Sequence, residues 1–468
     1  MRAETATRAA LLLLATFPLS AADPATLKRD CFTRAGFSGN GAHWVENCVT
    51  DVFTLRPVHL VLESLGPGSG FAAGLGFDSS PNSDRIQKTY SFKAAHGLTD
   101  ASFEASGSFG LAFPGLSFGK SSTSRNAPLG FSTHPYGRRI ALQWDDPEVD
   151  AKASLSIRAQ RLEVLTQDFY GLGQFTTQSG WARYSLRRST VGAVLADPLA
   201  SWLTGSVSVD YIKPDIGNIS GQPRPTIGLL YSEASAPGLT GRPSFLRIQP
   251  AAHARFKVGK AGISTARFSL MPPRANLGAE YSFYRDLDTG HYSFRQLHLR
   301  ADTSAQIRID TGHTASNRKN LLAKALCPSV QDKECTPGTL YLSSDAVFSQ
   351  VPGPNAVPFY FQPTLGGADA QGEDTLRGYR DFRFRASDRL LYRAEFQHDF
   401  NKFPLGVATF YDIGRVGASI SDLTAHFRHD IGLGVYAKVQ GVTVLRIYVA
   451  FGSREGVRPN VKGPGGIF

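Results

Sequence analysis

Four cysteines, eleven histidines and one run of arginines offer the most chemistry in this sequence. Cys31 and Cys48 fall together near the N-terminus, and Cys327 and Cys335 fall together near the middle. Pairing within each couple is the simplest of the three connectivities and predicts two local disulfides. Neither couple has C-x-x-C spacing or a histidine cluster beside it, so no metal centre is expected. The arginine run is Leu376-Arg377-Gly378-Tyr379-Arg380, with Arg383 and Arg385 after it. A guanidinium fork binds carboxylates through two parallel hydrogen bonds. Such a run is either an exposed, solvated basic loop or a set of anchors for buried acids. Gly378 permits close backbone approach or positive φ, and Tyr379 adds a stacking surface. No G-x-S-x-G, H-E-x-x-H or Walker A motif occurs. The glycine-rich stretch 66–76 has no βαβ pattern around it. The histidines are scattered, with His426 and His429 expected in an outer connection. No enzymatic activity and no cofactor are expected.

These side chains need elements to hold them. Residues 1–22 read as a secretory leader, with Arg2 and Arg8 before a short apolar stretch and Ser20 and Ala22 at the cleavage positions. That places the mature chain outside the cytoplasm, where disulfides persist. Hydrophobic residues make up 42% of the 468 and charged residues only 19%, which excludes a wholly disordered chain. Beyond the leader no apolar run of about 18 residues is present, so a bundle of membrane-spanning helices is excluded. The net charge is +11. Its basic residues are spread along the chain and form no single patch, so nucleic acid is not an expected partner. Acidic lipid headgroups, lipopolysaccharide and the interior of a barrel are the expected destinations.

Period-two alternation dominates the rest. Segments 100–111, 152–161, 277–284, 296–302 and 430–438 each carry an apolar and a polar face. In 430–438, Ile431, Leu433, Val435 and Ala437 alternate with Asp430, Gly432, Gly434, Tyr436 and Lys438. Many segments reach the roughly 9–11 residues that a tilted strand needs to cross a bilayer. Unpaired backbone cannot face lipid, so such strands must close into a barrel, apolar face outward and polar face inward. The expected fold is all-β: a transmembrane antiparallel β-barrel of about sixteen strands beginning near Gly70, with 23–69 as a short periplasmic N-terminal segment and 70–468 as the barrel. Tyr184, Tyr211, Phe283, Tyr292, Tyr392 and Tyr448 are candidates for interfacial girdles. Short connections such as Asn401-Lys402 and Gln440-Gly441 are expected at the periplasmic end, and the longer 214–242 and 304–337 at the outer end. Short helices are expected around 43–53 and 315–326.

Thr364-Leu365-Gly366-Gly367 and Thr375-Leu376-Arg377-Gly378-Tyr379-Arg380 together resemble the VRG(F/Y) signature of BamA/TamA-type outer-membrane barrels. This bacterial surface antigen superfamily also includes the transporters of two-partner secretion. Further matches follow in the family's order. Arg393-Ala394-Glu395-Phe396 resembles the strand after the motif loop, and Phe410-Tyr411-Asp412-Ile413-Gly414 its F-x-D-x-G strand. Gly432-Leu433-Gly434-Val435 and Leu445 to Ala450 sit where later strands sit, Asp168 to Gly173 resembles an upstream segment, and the chain ends in Phe468, as such barrels often do. The resemblance implies that the motif loop folds into the lumen and that Arg377 pairs there with Asp412 and Glu395. Strand parity is compatible: Arg393, Glu395 and Gln397 share one face, and Ala408, Phe410 and Asp412 share another.

The resemblance also implies insertion or translocation of protein or lipid at the bacterial outer membrane. The alternative is a passive channel or structural barrel with no assembly role. Residues 23–69 are too short for a POTRA domain, so either a separate periplasmic partner captures unfolded protein or lipid cargo, or the barrel does something else. Pro459, Gly463, Pro464, Gly465 and Gly466 predict a weak last strand.

Overall fold

Alternating apolar and polar side chains fold here into a single large antiparallel sheet. The computed structural model describes residues 58–64, 71–79, 87–98, 102–114, 152–219, 224–257, 264–265, 268–270, 274–310, 334–369, 373–400, 405–439, 442–452 and 456–462. The leader, Cys31, Cys48, Cys327, Phe468, residues 463–466 and the expected helices at 43–53 and 315–326 lie outside them. Of Cys335 only the backbone is described. The chain is nearly all-β, and no described helix is long and apolar enough to cross a membrane.

The strands are β1 (Val58–Ser64), β2 (Phe71–Ser79), β3 (Gln87–Gly97), β4 (Phe103–Pro114), β5 (Lys152–Phe169), β6 (Ala182–Ala200), β7 (Leu203–Gly217) and β8 (Phe245–Lys257). After them come β9 (Ser264–Thr265), β10 (Phe268–Leu270), β11 (Arg274–Asp286), β12 (Phe294–Asp310) and β13 (Glu334–Gln350). The last are β14 (Thr364–Leu365), β15 (Phe384–Arg385), β16 (Asp388–Asp399), β17 (Leu405–Gly417), β18 (Arg428–Val439), β19 (Val442–Gly452) and β20 (Gly456–Lys462). Eighteen of these form one sheet, and β14 pairs with β15 apart from it. The short β9 and β10 only prolong the β8–β11 hairpin, since β10 continues β11 along β12. The remaining sixteen pair in chain order, each antiparallel to the one before it.

The sheet starts earlier than the alternation suggested: β1 lies within 23–69, paired along its whole length with β2. Strict alternation of direction also corrects the loop assignment. The connections 218–244, 287–293, 351–387 and 418–427 leave one end of the sheet. The connection 311–333 leaves the other end, with 400–404 and 440–441. Segments 214–242 and 304–337 therefore do not share a side. Much of 304–337 is strand, because β12 runs to Asp310 and β13 begins at Glu334.

One face of the sheet carries buried charge: Glu104, Asp210, Asp345, Glu395, Asp412 and Asp430 are all on it. The other face is apolar and open. Ile431, Leu433 and Val435 are 55%, 64% and 51% exposed, whereas Asp430 between the same strands is 0% exposed. This inverts a water-soluble protein and matches a wall with lipid outside. The lower part of β6 turns Val191 and Leu195 outward, and the upper part Arg183, Ser185, Arg187 and Ser189. Register aligns this switch across three strands. Ala159, Val191 and Tyr211 form the last apolar row, and Arg161, Ser189 and Lys213 form the first polar one. Tyr211, Phe283 and Tyr392 face outward, as a girdle requires. Tyr184 and Tyr448 are buried on the inner face, and Tyr292 packs against the inner cluster from its loop. Strand parity excludes the first two from any girdle, because Tyr448 shares its face with Arg446 and Ala450.

The β13–β16 connection, residues 351–387, lies against the inner face and touches strands far apart in order. Phe359 meets Phe169 of β5 and Tyr184 of β6. Phe361 meets Phe245 of β8, Tyr284 of β11 and Phe294 of β12. Glu373 meets Arg300 of β12, and Asp381 meets Arg458 of β20. A sheet whose β5 and β20 both reach one segment is curled around it.

Candidate functional site

The inward segment is built by its glycines. Gly366 and Gly367 have φ of 111° and 54°, conformations open to glycine at little cost, and they fold the chain back on itself. Gly367 N–H then donates to Leu376 O at 2.8 Å, and Thr375 N–H to Gly367 O at 2.9 Å. The fold-back delivers Leu376 into a buried cluster with Leu365, Tyr379, Phe384, Leu391 and Val416. Gly414 on β17 leaves room for that cluster, since a Cβ there would meet Leu365 Cδ1 at 3.0 Å.

Arg377 emerges at the turn and is 2% exposed. Its Nε and Nη2 donate to Asp412 Oδ2 and Oδ1 at 2.7 and 2.8 Å, the bidentate fork. Its Nη1 donates to Glu395 Oε2 at 2.5 Å. The guanidinium lies 3.4 Å from the Phe410 ring centroid, and Phe410 itself stands edge-on to Tyr448. Arg446 and Gln397 hold the remaining side of Glu395 at 3.1 and 2.7 Å. Gly378 is pressed flat against the wall: a Cβ there would stand 2.6 Å from Gly452 N and 2.7 Å from Asp430 Cβ. Its φ is not positive, so close approach is the reason for glycine. Tyr379 is buried on Phe384 and donates to His429 O at 3.4 Å. The structure thus brings Leu376, Arg377, Gly378, Tyr379, Glu395, Phe410, Asp412 and Gly414 into one knot.

Sequence reasoning missed a second, reciprocal set. There the acids belong to the segment and the arginines to the wall. Arg389 binds Asp369 at 3.0 Å and Asp345 of β13 at 2.5 Å. Arg300 binds Glu373 at 2.6 Å, and His298 meets Asp345 at 2.5 Å. The inward parity of His298 and Arg300 on β12 was a usable signal. Asp369 and Glu373 gave none, because an irregular segment has no parity. The rest of the arginine run splits: Arg383 and Arg385 are buried, and Arg380 is exposed. Arg383 donates to Thr176 O and Oγ1 at 2.8 Å, and Arg385 to Phe359 O at 2.5 Å. A polar cavity of about 180 Å³ lies beside the segment, bordered by Arg158, Arg247, Gln249, Glu280, His298 and Arg389 among others.

No family model matches the chain, and none of the curated proteins matches it. Among solved structures it is similar to BamA from Haemophilus ducreyi lacking POTRA domains 1–3, at 9% identity and a TM-score of 0.45, covering 95% of this chain and 82% of that one. It is similar to CdiB from Acinetobacter baumannii at 10% identity and a TM-score of 0.45, covering 87% of this chain and 59% of that one. It is also similar to OccK10 (OpdN) from Pseudomonas aeruginosa at 10% identity and a TM-score of 0.30, covering 86% and 94%.

Proposed function

We propose that this chain is a closed sixteen-stranded barrel of the bacterial outer membrane, with β1 meeting β20, plugged by residues 351–387. Its proposed role is to insert or translocate protein or lipid at that membrane, without enzymatic chemistry of its own. The observation that carries the reading is Arg377, seated in a carboxylate cage made by two wall strands and reached by a segment from a third place in the chain. A segment held by charge on both sides fits a lumen kept shut until those contacts are released, which favours assembly or translocation over an open pore. The inverted polarity of the sheet supports the membrane, and the resemblance of the motif residues supports the role. The proposed partners are outer-membrane lipid, lipopolysaccharide and a separate periplasmic protein that delivers cargo.

The test is single-channel conductance of the purified chain in a planar bilayer, wild type beside Arg377→Ala. A low, flickering wild-type conductance that rises in the variant is expected. A large, steady conductance unchanged by the substitution would overturn the plug and leave the passive channel or structural barrel. Engineered cysteine pairs between β1 and β20 test the seam: unchanged activity after crosslinking would count against strand separation.

A further inference from the structure

We propose that Trp181, Arg224 and Arg380 form a binding site for a phosphate-type oxyanion on the outer rim. Three connections converge there: 170–181 brings the indole, 218–244 brings Arg224, and 351–387 brings Arg380. The guanidinium carbons of Arg224 and Arg380 lie 4.0 and 4.6 Å from the centroid of the Trp181 ring. Both guanidiniums thus gather at one indole, and one oxyanion is proposed to bridge them. Arg183 is a third cation, 5.5 Å from the same ring.

The platform is built. Trp181 is 7% exposed and stacks on Tyr170 at 5.6 Å. Arg183 N–H donates to Pro225 O at 2.9 Å, which fixes the backbone next to Arg224. Asp381, next to Arg380, is held by Arg458 at 3.1 Å. The charges do not balance. Arg183 has Asp168 at 3.1 Å, but among the described residues neither Arg224 nor Arg380 meets a carboxylate. Gathering three guanidiniums on one ring is repulsive. Each exposed cation–π contact offsets only part of that repulsion. Both arginines are exposed, and a planar fork suits a phosphate better than a single chloride.

Height narrows the ligand. On β6 the first polar outward row is at Ser189, and the strand continues to Ala182, about 20 Å farther along its axis. That is above the headgroup level, so the phosphate sits on surface sugars or is free in solution. This height rests on the membrane reading above. Oxyanion binding itself does not, because it is read in detergent with no bilayer and no conductance.

The experiment is calorimetric titration of the full chain in detergent micelles with inorganic pyrophosphate. Wild type is compared with Arg224→Gln, Arg380→Gln and the double variant, each checked for heat-modifiable migration as a sign of folding. Saturable wild-type binding is expected, weakened roughly tenfold by each substitution, the scale of one charge-assisted contact. No saturable binding by wild type, or equal binding by the folded double variant, would overturn the site. Competing lipopolysaccharides separate the sources. Displacement by one with a phosphorylated sugar core assigns the ligand to the surface glycolipid. No displacement by any assigns it to free phosphate. Displacement by lipid A lacking core sugars, with the chain reconstituted in lipid vesicles, would overturn the height.

Discussion

Arg377 works because its three donors go to two strands at once. Breaking a buried pair by removing one partner leaves a charge uncompensated and costs roughly 3–5 kcal/mol. Arg377→Ala is therefore expected to lower stability by that order in equilibrium unfolding from lipid vesicles, and to open 351–387 to protease. Arg377→Lys keeps the charge but not the fork, and should restore only part of the loss. Asp412→Asn should expose the segment to protease more than Glu395→Gln, because Asp412 takes two of the three Arg377 donors whereas Glu395 divides its charge between Arg377 and Arg446. Equal exposure would mean that the fork geometry does not matter. Gly378→Ala puts a methyl where Gly452 N and Asp430 Cβ already stand. Overpacking of this kind costs about 1–3 kcal/mol, and faster proteolysis of the segment would report it.

The strands carry a boundary that can be tested one row at a time. Leu195→Arg puts a cation on the apolar outer face of β6, where it should cost on the order of 2 kcal/mol or more. Ser189→Arg adds the same cation to the polar row and should cost almost nothing. Similar costs for both in vesicle unfolding would remove the boundary. In the loop 218–244 the Glu233 carboxylate accepts from Thr240 N–H at 2.7 Å, from the Thr240 hydroxyl at 2.5 Å, and from Gly238 N–H and the Tyr292 hydroxyl. Burial alone raises its carboxyl, but these hydrogen bonds outweigh burial and hold it below the ordinary value. Tyr292, partly buried and facing that carboxylate, is pushed up to about 12. The depressed Glu233 stabilises the loop above the ordinary glutamate range and loses that contribution as pH falls through its lowered value. The raised Tyr292 contributes below its ordinary value and loses that as pH rises toward 12. The protection of the Gly238 and Thr240 amides, taken relative to their intrinsic exchange rates, should hold at neutral pH and fall as pH drops through the lowered Glu233 value. In Glu233→Ala that protection should be lost at every pH.

Elements also mark where sequence reading ends. Period-two alternation located most strands and put Glu395 and Asp412 on inner faces, because a pleat leaves a side chain only two directions. Residues 351–387 have no such period. The pairings of Asp369, Glu373, Arg383 and Arg385 depend on where the curled wall arrives, which no local pattern encodes. The side of 304–337 is hidden for a simpler reason. Its length suggests one end, whereas the count of antiparallel strands puts it at the other.

At the scale of the whole molecule, the alternation of strand direction fixes which connections share a side. An epitope placed in 218–244 and one placed in 311–333 should never be reached from the same side of the membrane. Antibody labelling of intact and permeabilised cells checks it, and surface labelling of both would break the strand order. One feature of the wall bears on its endurance. Among the described residues β20 forms its ladder only with β19, and Pro459 interrupts its donors. Inside, however, Arg458 donates to Tyr379 O and to Asp381 of the segment 351–387. The last strand is thus tethered to that segment as well as to its neighbour. Under the proposed function the strand could not depart without releasing the segment, and the two motions would have one clock.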